Sequence, residues 1–213
     1  MEPVMTDLAE RAAIPHTAVV IIDMQNAFCA EGDTSTSGVN KSAIRSMVPR
    51  LQDFLNRARE MKVPLIFVRS VMDEKDFSPP IRELCIRNYG REVAFCLRGA
   101  WEAEFIPEIH PAENDRVVEK TRYSAFAKTD LDKRLRDLGI KTLVMTGVGT
   151  DVCVETTCRD GFMRDYYIIV PDDLVATTDD NFHRSALAHL KRYFATVTSS
   201  KELLRLWGGS RAE

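Results

Sequence analysis

Nowhere in this chain of 213 residues does an apolar run approach the ~20 residues a membrane-crossing helix requires. The opening MEPVMTDLAERAAIPH mixes charges and has no apolar stretch of the kind a secretory leader carries, so the expectation is a cytoplasmic protein with no membrane partner. Charge of one sign is also missing. The 29 lysines and arginines against 32 aspartates and glutamates, net −3, leave no basic footprint for nucleic acid. Cysteine is scarce: Cys29, Cys85, Cys96, Cys153 and Cys158 are odd in number and none is spaced C-x-x-C, which argues against a disulfide framework and a zinc knuckle. Internal repeats and low-complexity tracts are absent.

What is present is enough apolar residue, 45%, to bury one sizeable core, so residues 1–213 are expected to form a single domain with its core at about 17–206. Short apolar runs alternate with longer segments of helical period, the pattern of a parallel sheet with crossover helices. Strands are predicted at Ala18–Asp23, Pro64–Arg69, Arg116–Glu119, Thr142–Thr146, Tyr167–Val170 and Thr196–Thr198. Between them, Ser42–Met61 puts Ile44, Val48, Leu51, Leu55 and Ala58 on one helical face, and Leu131, Leu135 and Leu138 mark a helix stopped by Gly139. Further helices are predicted at Cys153–Arg164, Asp180–Arg192 and Lys201–Leu206. The interval Ser70–Asp115 holds four prolines and no continuous period, so it reads as a long loop region covering a site.

The most telling segment is TLVMTGVGTDVCVETTC, Thr142 to Cys158, where a strand breaks at Gly147 and Gly149 and delivers Cys153 to a predicted helix start. Helix-start dipoles favour thiolate over thiol, and the same N–H groups can hold an oxyanion. A buried structural cysteine beside a tight turn fits the segment equally well. In an open parallel sheet, reactive groups collect beyond the carboxyl ends of strands. Three titratable residues fall there: Asp23 ends VVIID, Lys120 ends RVVEK, and Cys153 follows TLVMTGVG. The chemistry is coherent, since lysine stabilises a thiolate, aspartate takes the thiol proton and returns it to a leaving amine, and backbone N–H groups near Gly149 and Cys153 meet the oxyanion.

With DMQNAF (Asp23–Phe28), Lys120 followed by RYSAF (Arg122–Phe126), and GVGTDVCVETTCRDGF (Gly147–Phe162), the chain resembles the isochorismatase-like cysteine hydrolase family from Ala18 to about Leu206. The resemblance implies an α/β fold, three-layer and doubly wound, with a mostly parallel, Rossmann-like six-stranded sheet. It also implies an Asp23, Lys120 and Cys153 triad, and a non-proline cis peptide between Val148 and Gly149 that makes an oxyanion hole from the N–H groups of Gly149 and Cys153. A homo-oligomer, dimer or tetramer, is implied as well.

Departures from the family narrow the reaction. Members that cleave isochorismate commonly lack the cysteine, so its presence favours amide hydrolysis through a thioester. Nicotinamidases usually carry Asp-x-His and further histidines after the second strand to bind a metal. Here that region reads VRSVMDEKDFSPP, and His16, His110, His183 and His189 show no ligand spacing, so no metal or other cofactor is expected. GAWEAEF, KTRYSAF and CVETTCRDGF look most like the ureidoacrylate amidohydrolase, biuret hydrolase and N-carbamoylsarcosine amidohydrolase branches. The implied substrate is a small linear carbamoyl or ureido amide, with ammonia released. Nicotinamide or isochorismate hydrolysis on the same scaffold is the alternative. An intact triad argues against a non-catalytic binding protein.

Candidate substrate contacts are Gln25 and Asn26, which could meet a ureido group, orient Asp23 or cap the loop after the strand. Phe28, Trp101, Tyr123 and Phe126 either wall the pocket or belong to the core. Arg87, Arg91 and Arg98 could meet a carboxylate or stand in solvent, while Thr156, Thr157 and Asp160 could face the site or a neighbouring subunit. Cys29 and Cys158 are assigned structural roles. The ending LLRLWGG suits a helix terminating at a contact surface.

Overall fold

The computed structural model describes residues 3–31 and 39–208. A short helix α1 (Leu8–Arg11) leads into β1 (Thr17–Ile22), whose six residues are all buried, and a second short helix α2 (Asn26–Cys29) follows it. The remaining strands are β2 (Leu65–Ser70), β3 (Arg116–Lys120), β4 (Thr142–Val148), β5 (Tyr167–Pro171), β6 (Val175–Ala176) and β7 (Thr196–Thr198). All pair in parallel, in the order β3-β2-β1-β4-β5-β7, with β6 against the end of β4. All six predicted strands form. The sheet nevertheless has seven, because β6 is two residues long and too short to leave a period in the sequence.

The order reverses between β1 and β4, so the sheet is doubly wound and a crevice opens beyond their carboxyl ends. Both faces are covered. Val19 and Ile21 of β1 pack with Ile44, Val48, Leu51 and Leu55 of α3 (Ser42–Glu60), while Ala18, Val20 and Ile22 pack with Leu131, Leu135, Cys158 and Leu190 on the other side. Those four belong to α5 (Leu131–Asp137), α6 (Glu155–Phe162) and α7 (Asp180–Tyr193). A parallel strand buried on both faces reads as a continuous apolar run, which is how β1 stands in the sequence.

Three expectations need correction. The Ser70–Asp115 interval is not all loop: it contains the helix α4 (Pro79–Tyr89), opened by Pro79 and Pro80 at positions where a missing N–H costs nothing and closed by Gly90 at φ 69°. Its weak amphipathicity hid it. The helix predicted at Cys153–Arg164 starts instead with a wide π-helical turn, Thr150–Val154, and continues as α6. The last helix, α8 (Ser200–Gly208), does not present Trp207 outward; the ring packs 5.4 Å from Phe54 and its Nε1 donates to the Ala12 carbonyl at 2.7 Å. Gly209 of the same motif lies outside the described residues.

One glycine is needed to bring β4 against β1. Gly147 has φ 102°, and a Cβ there would stand 2.1 Å from the Ile22 carbonyl oxygen. Only glycine allows this approach. It sets the end of β4 beside the end of β1.

Candidate active site

Four adjacent strands, taken in spatial order β3, β2, β1, β4, bring Lys120 and Ser70 at their last positions, Asp23 just after β1 and, one turn beyond β4, Cys153 to one edge. The register pairs Ser70 with Lys120 directly. Lys120 thus has to reach across the end of β2, and it does. Its Nζ lies 2.8 Å from Asp23 Oδ2, donates to Ser70 Oγ at 2.9 Å and reaches Cys153 Sγ at 3.4 Å. Ser70 Oγ in turn donates to Asp23 Oδ1 at 3.2 Å. The Lys120 and Asp23 side chains are 1% and 2% exposed, so this ion pair sits in a dry site where each charge depends on the other.

Local structure holds each group. Asp23 leaves β1 at φ 53°, a left-handed conformation that aspartate tolerates better than most residues, and its N–H still bonds to Val68 of β2. The Val148–Gly149 peptide is cis, and both residues line the cavity with Cys153. Thr157 Oγ1 donates to the Cys153 carbonyl at 2.7 Å and accepts from the Ala125 N–H, while Asp160 accepts from Ser124 Oγ at 2.6 Å. Through these bonds the KTRYSAF and CVETTCRDGF segments clamp one another. Thr157 and Asp160 therefore face the chain's own Ser124–Ala125 segment.

Burial sets the charge state. It is the largest influence on Cys153 and pushes the thiol above its ordinary 9.0; Lys120 opposes this and Asp23 adds to it. Burial also works against the Lys120 ammonium, but Asp23 and Cys153 together leave its pKa raised. Both directions favour a thiol beside an ammonium. Iodoacetamide labelling of Cys153 should accordingly climb about tenfold per pH unit between pH 6 and 8, following the thiolate fraction. A rate that is flat from pH 5 to 8 would show that the thiolate already prevails at rest.

A cavity of about 350 Å³ opens onto this cluster. Phe28 and Tyr123 line it, as do Asp23, Lys120 and Cys153. The other candidates lie elsewhere. Gln25 is fully buried behind the site, its Nε2 donating to the Ser70 and Ala103 carbonyls at 2.8 Å each and its Oε1 accepting from the Ser70 N–H at 2.7 Å. It grips the β2 end and so orients Ser70. Asn26 Nδ2 donates to the Trp101 carbonyl, and the Trp101 ring is 57% exposed and outside the cavity lining. Phe126 is core, its ring 6.0 Å from that of Tyr166. Arg87 pairs with Glu83, Arg98 pairs with Asp73 and Glu119, and Arg91 is exposed; none of them lines the cavity. Cys29 is buried and its thiol pushed up to about 12, chiefly by that burial.

Sequence reasoning missed Ser70, whose only signal is that it ends the strand between those of Lys120 and Asp23. It also missed the cavity face of α4. A larger hollow of about 850 Å³ along the β3 edge, lined in part by Arg69, Glu119 and Arg134, contains none of the strand-end groups. Among the described residues, no three His, Cys, Asp or Glu side chains stand together in a way that would hold a metal ion.

The geometry agrees with what the chain is similar to. Residues 17–202 match the isochorismatase domain model. Ureidoacrylate amidohydrolase from Acinetobacter baylyi is 29% identical over 96% of this chain and 95% of that protein. The solved N-carbamoylsarcosine amidase of Thermoplasma acidophilum is 33% identical at TM-score 0.71, covering 87% of this chain and 96% of that one. The nicotinamidase of Bacillus subtilis is 27% identical at TM-score 0.75, covering 86% and 100%. With residues 17–202 matched and its sheet and helices in the same arrangement, the chain belongs to the isochorismatase family.

Proposed function

We propose that the chain is a cysteine-dependent amidohydrolase, acting on a small linear carbamoyl or ureido amide through a thioester on Cys153 and releasing ammonia. The observation that carries this reading is Lys120 Nζ lodged between the Asp23 carboxylate at 2.8 Å and the Cys153 sulfur at 3.4 Å, at the wall of a cavity. Asp23 takes the thiol proton as sulfur attacks the carbonyl carbon. Lys120 holds the thiolate that forms, and the N–H groups of Gly149 and Cys153 are the proposed donors to the oxyanion. When the tetrahedral carbon collapses, the C–N bond breaks and Asp23 returns its proton to the leaving nitrogen as ammonia. Water, deprotonated by Asp23, then breaks the C–S bond; a ureido substrate leaves a carbamate that decomposes to amine and carbon dioxide.

A panel of ureidoacrylate, biuret, N-carbamoyl amino acids and nicotinamide, assayed for ammonia with and without a chelator, tests the reading. Turnover of a ureido or carbamoyl compound that persists in chelator is the expected outcome. Nicotinamide is in the panel because the B. subtilis nicotinamidase shares this fold. Chelator-sensitive turnover of nicotinamide alone would replace the proposal.

Ser70 is the positioning group in this scheme, since it bonds both Lys120 and Asp23. Ser70→Ala should lower kcat by about tenfold, on the scale of a lost hydrogen bond to a charged group, with KM changed less than kcat. Ser70→Thr, which restores the hydroxyl, should recover part of the loss. A change confined to KM would mean that Ser70 binds substrate and does not hold the pair.

A further inference from the structure

The cavity lining combines strand-end polar groups with a larger set of apolar side chains. Near the sulfur stand Ser70, its hydroxyl shared between Asp23 and Lys120, and Thr177, whose Oγ1 lies 3.1 Å from where a Gly149 Cβ would be. From α4, Ile81, Leu84 and Cys85 line the cavity at i, i+3 and i+4 spacing, with Asn88 and Tyr89 a turn further on, and Val93 and Phe95 add to that wall. Phe28 and Ile44 line it as well. Ile81 and Leu84 are only half-buried, which leaves apolar surface open toward the cavity. Two cations besides Lys120 line it, and both are engaged by main-chain oxygens: Lys41 Nζ donates to the Ala27 and Ala30 carbonyls at 3.1 and 3.0 Å, and Arg122 Nη1 to those of Asp76 and Thr121.

We infer that the substrate carries an apolar substituent, alkyl or aryl, on the side of the carbonyl away from the leaving ammonia, and that the inner face of α4 selects it. This rests on the amidohydrolase reading and deepens it: the substrate class is R–NH–CO–NH2 with R apolar, not a ureido acid. The volume, about 350 Å³, is near the lower end of ligand cavities, which suits a short chain or one ring. Attack by Cys153 expels ammonia and leaves R–NH–CO–S–Cys, which water cleaves to the carbamate and free thiol.

The test is kcat/KM for ammonia release from N-methyl-, N-propyl- and N-pentylurea and from 3-ureidopropanoate, with Kd for the same compounds on Cys153→Ala by calorimetry. Expected is a roughly fourfold rise in kcat/KM and a matching fall in Kd per methylene, and at least a tenfold deficit for the carboxylate. Leu84→Asn should flatten the rise. A flat or falling series, or preference for the carboxylate, overturns the inference even if ammonia release is brisk and the amidohydrolase reading stands. Conversely, no release from any urea, together with release from butanamide and hexanamide that climbs with length, removes the ureido chemistry and keeps the apolar pocket.

Discussion

Cys153→Ala should eliminate amide hydrolysis, with kcat falling roughly a millionfold, the scale on which a covalent hydrolase responds to loss of its activated nucleophile. The side chain is half-buried and small, and the groups around it are tied elsewhere: Lys120 keeps Asp23 and Ser70 as partners, and the Cys153 carbonyl keeps Thr157. Folding should therefore survive the change. Circular dichroism and a denaturation midpoint close to those of the unaltered protein would separate lost chemistry from lost structure. Turnover within tenfold of the original would mean that water attacks directly and that sulfur is dispensable.

Asp23→Asn should cost both activity and stability. Removing the base and proton donor lowers kcat by about 10³- to 10⁴-fold. It also strands the Lys120 ammonium, 1% exposed, without its carboxylate 2.8 Å away, and breaking a fully buried pair from one side typically costs about 3–5 kcal/mol. The double variant Asp23→Asn/Lys120→Met removes the stranded charge and should recover most of that stability while staying inactive. Urea unfolding of the three proteins reads this directly. Equal stability of the single variant and the parent would show that the pair is not the dry, mutually dependent unit described above.

This opposition between function and stability also explains what could be read from the sequence. The strand-end trio was legible because parallel sheets put reactive groups at one edge and because Asp23, Lys120 and Cys153 each follow an apolar run. β1, β2 and β4 were legible for the same reason: buried on both faces, they are continuous apolar strings. Ser70 was not, and neither was the role Gln25 takes, since these arise from strand order and from one amide gripping another strand's backbone, neither of which leaves a spacing pattern. α4 was hidden by a face that is apolar toward a cavity and not toward the core. The helix start before Cys153 is visible in the sequence, whereas the burial that pushes its thiol up is not.

The central claim, a covalent bond between substrate carbonyl and Cys153, is tested most directly by acid-quenching the enzyme during steady-state turnover of the best amide and measuring the mass of its peptides. The account predicts an adduct on the peptide containing Cys153 equal to the substrate less ammonia, absent in Cys153→Ala. An adduct on another side chain, or undiminished turnover by Cys153→Ala, would contradict it.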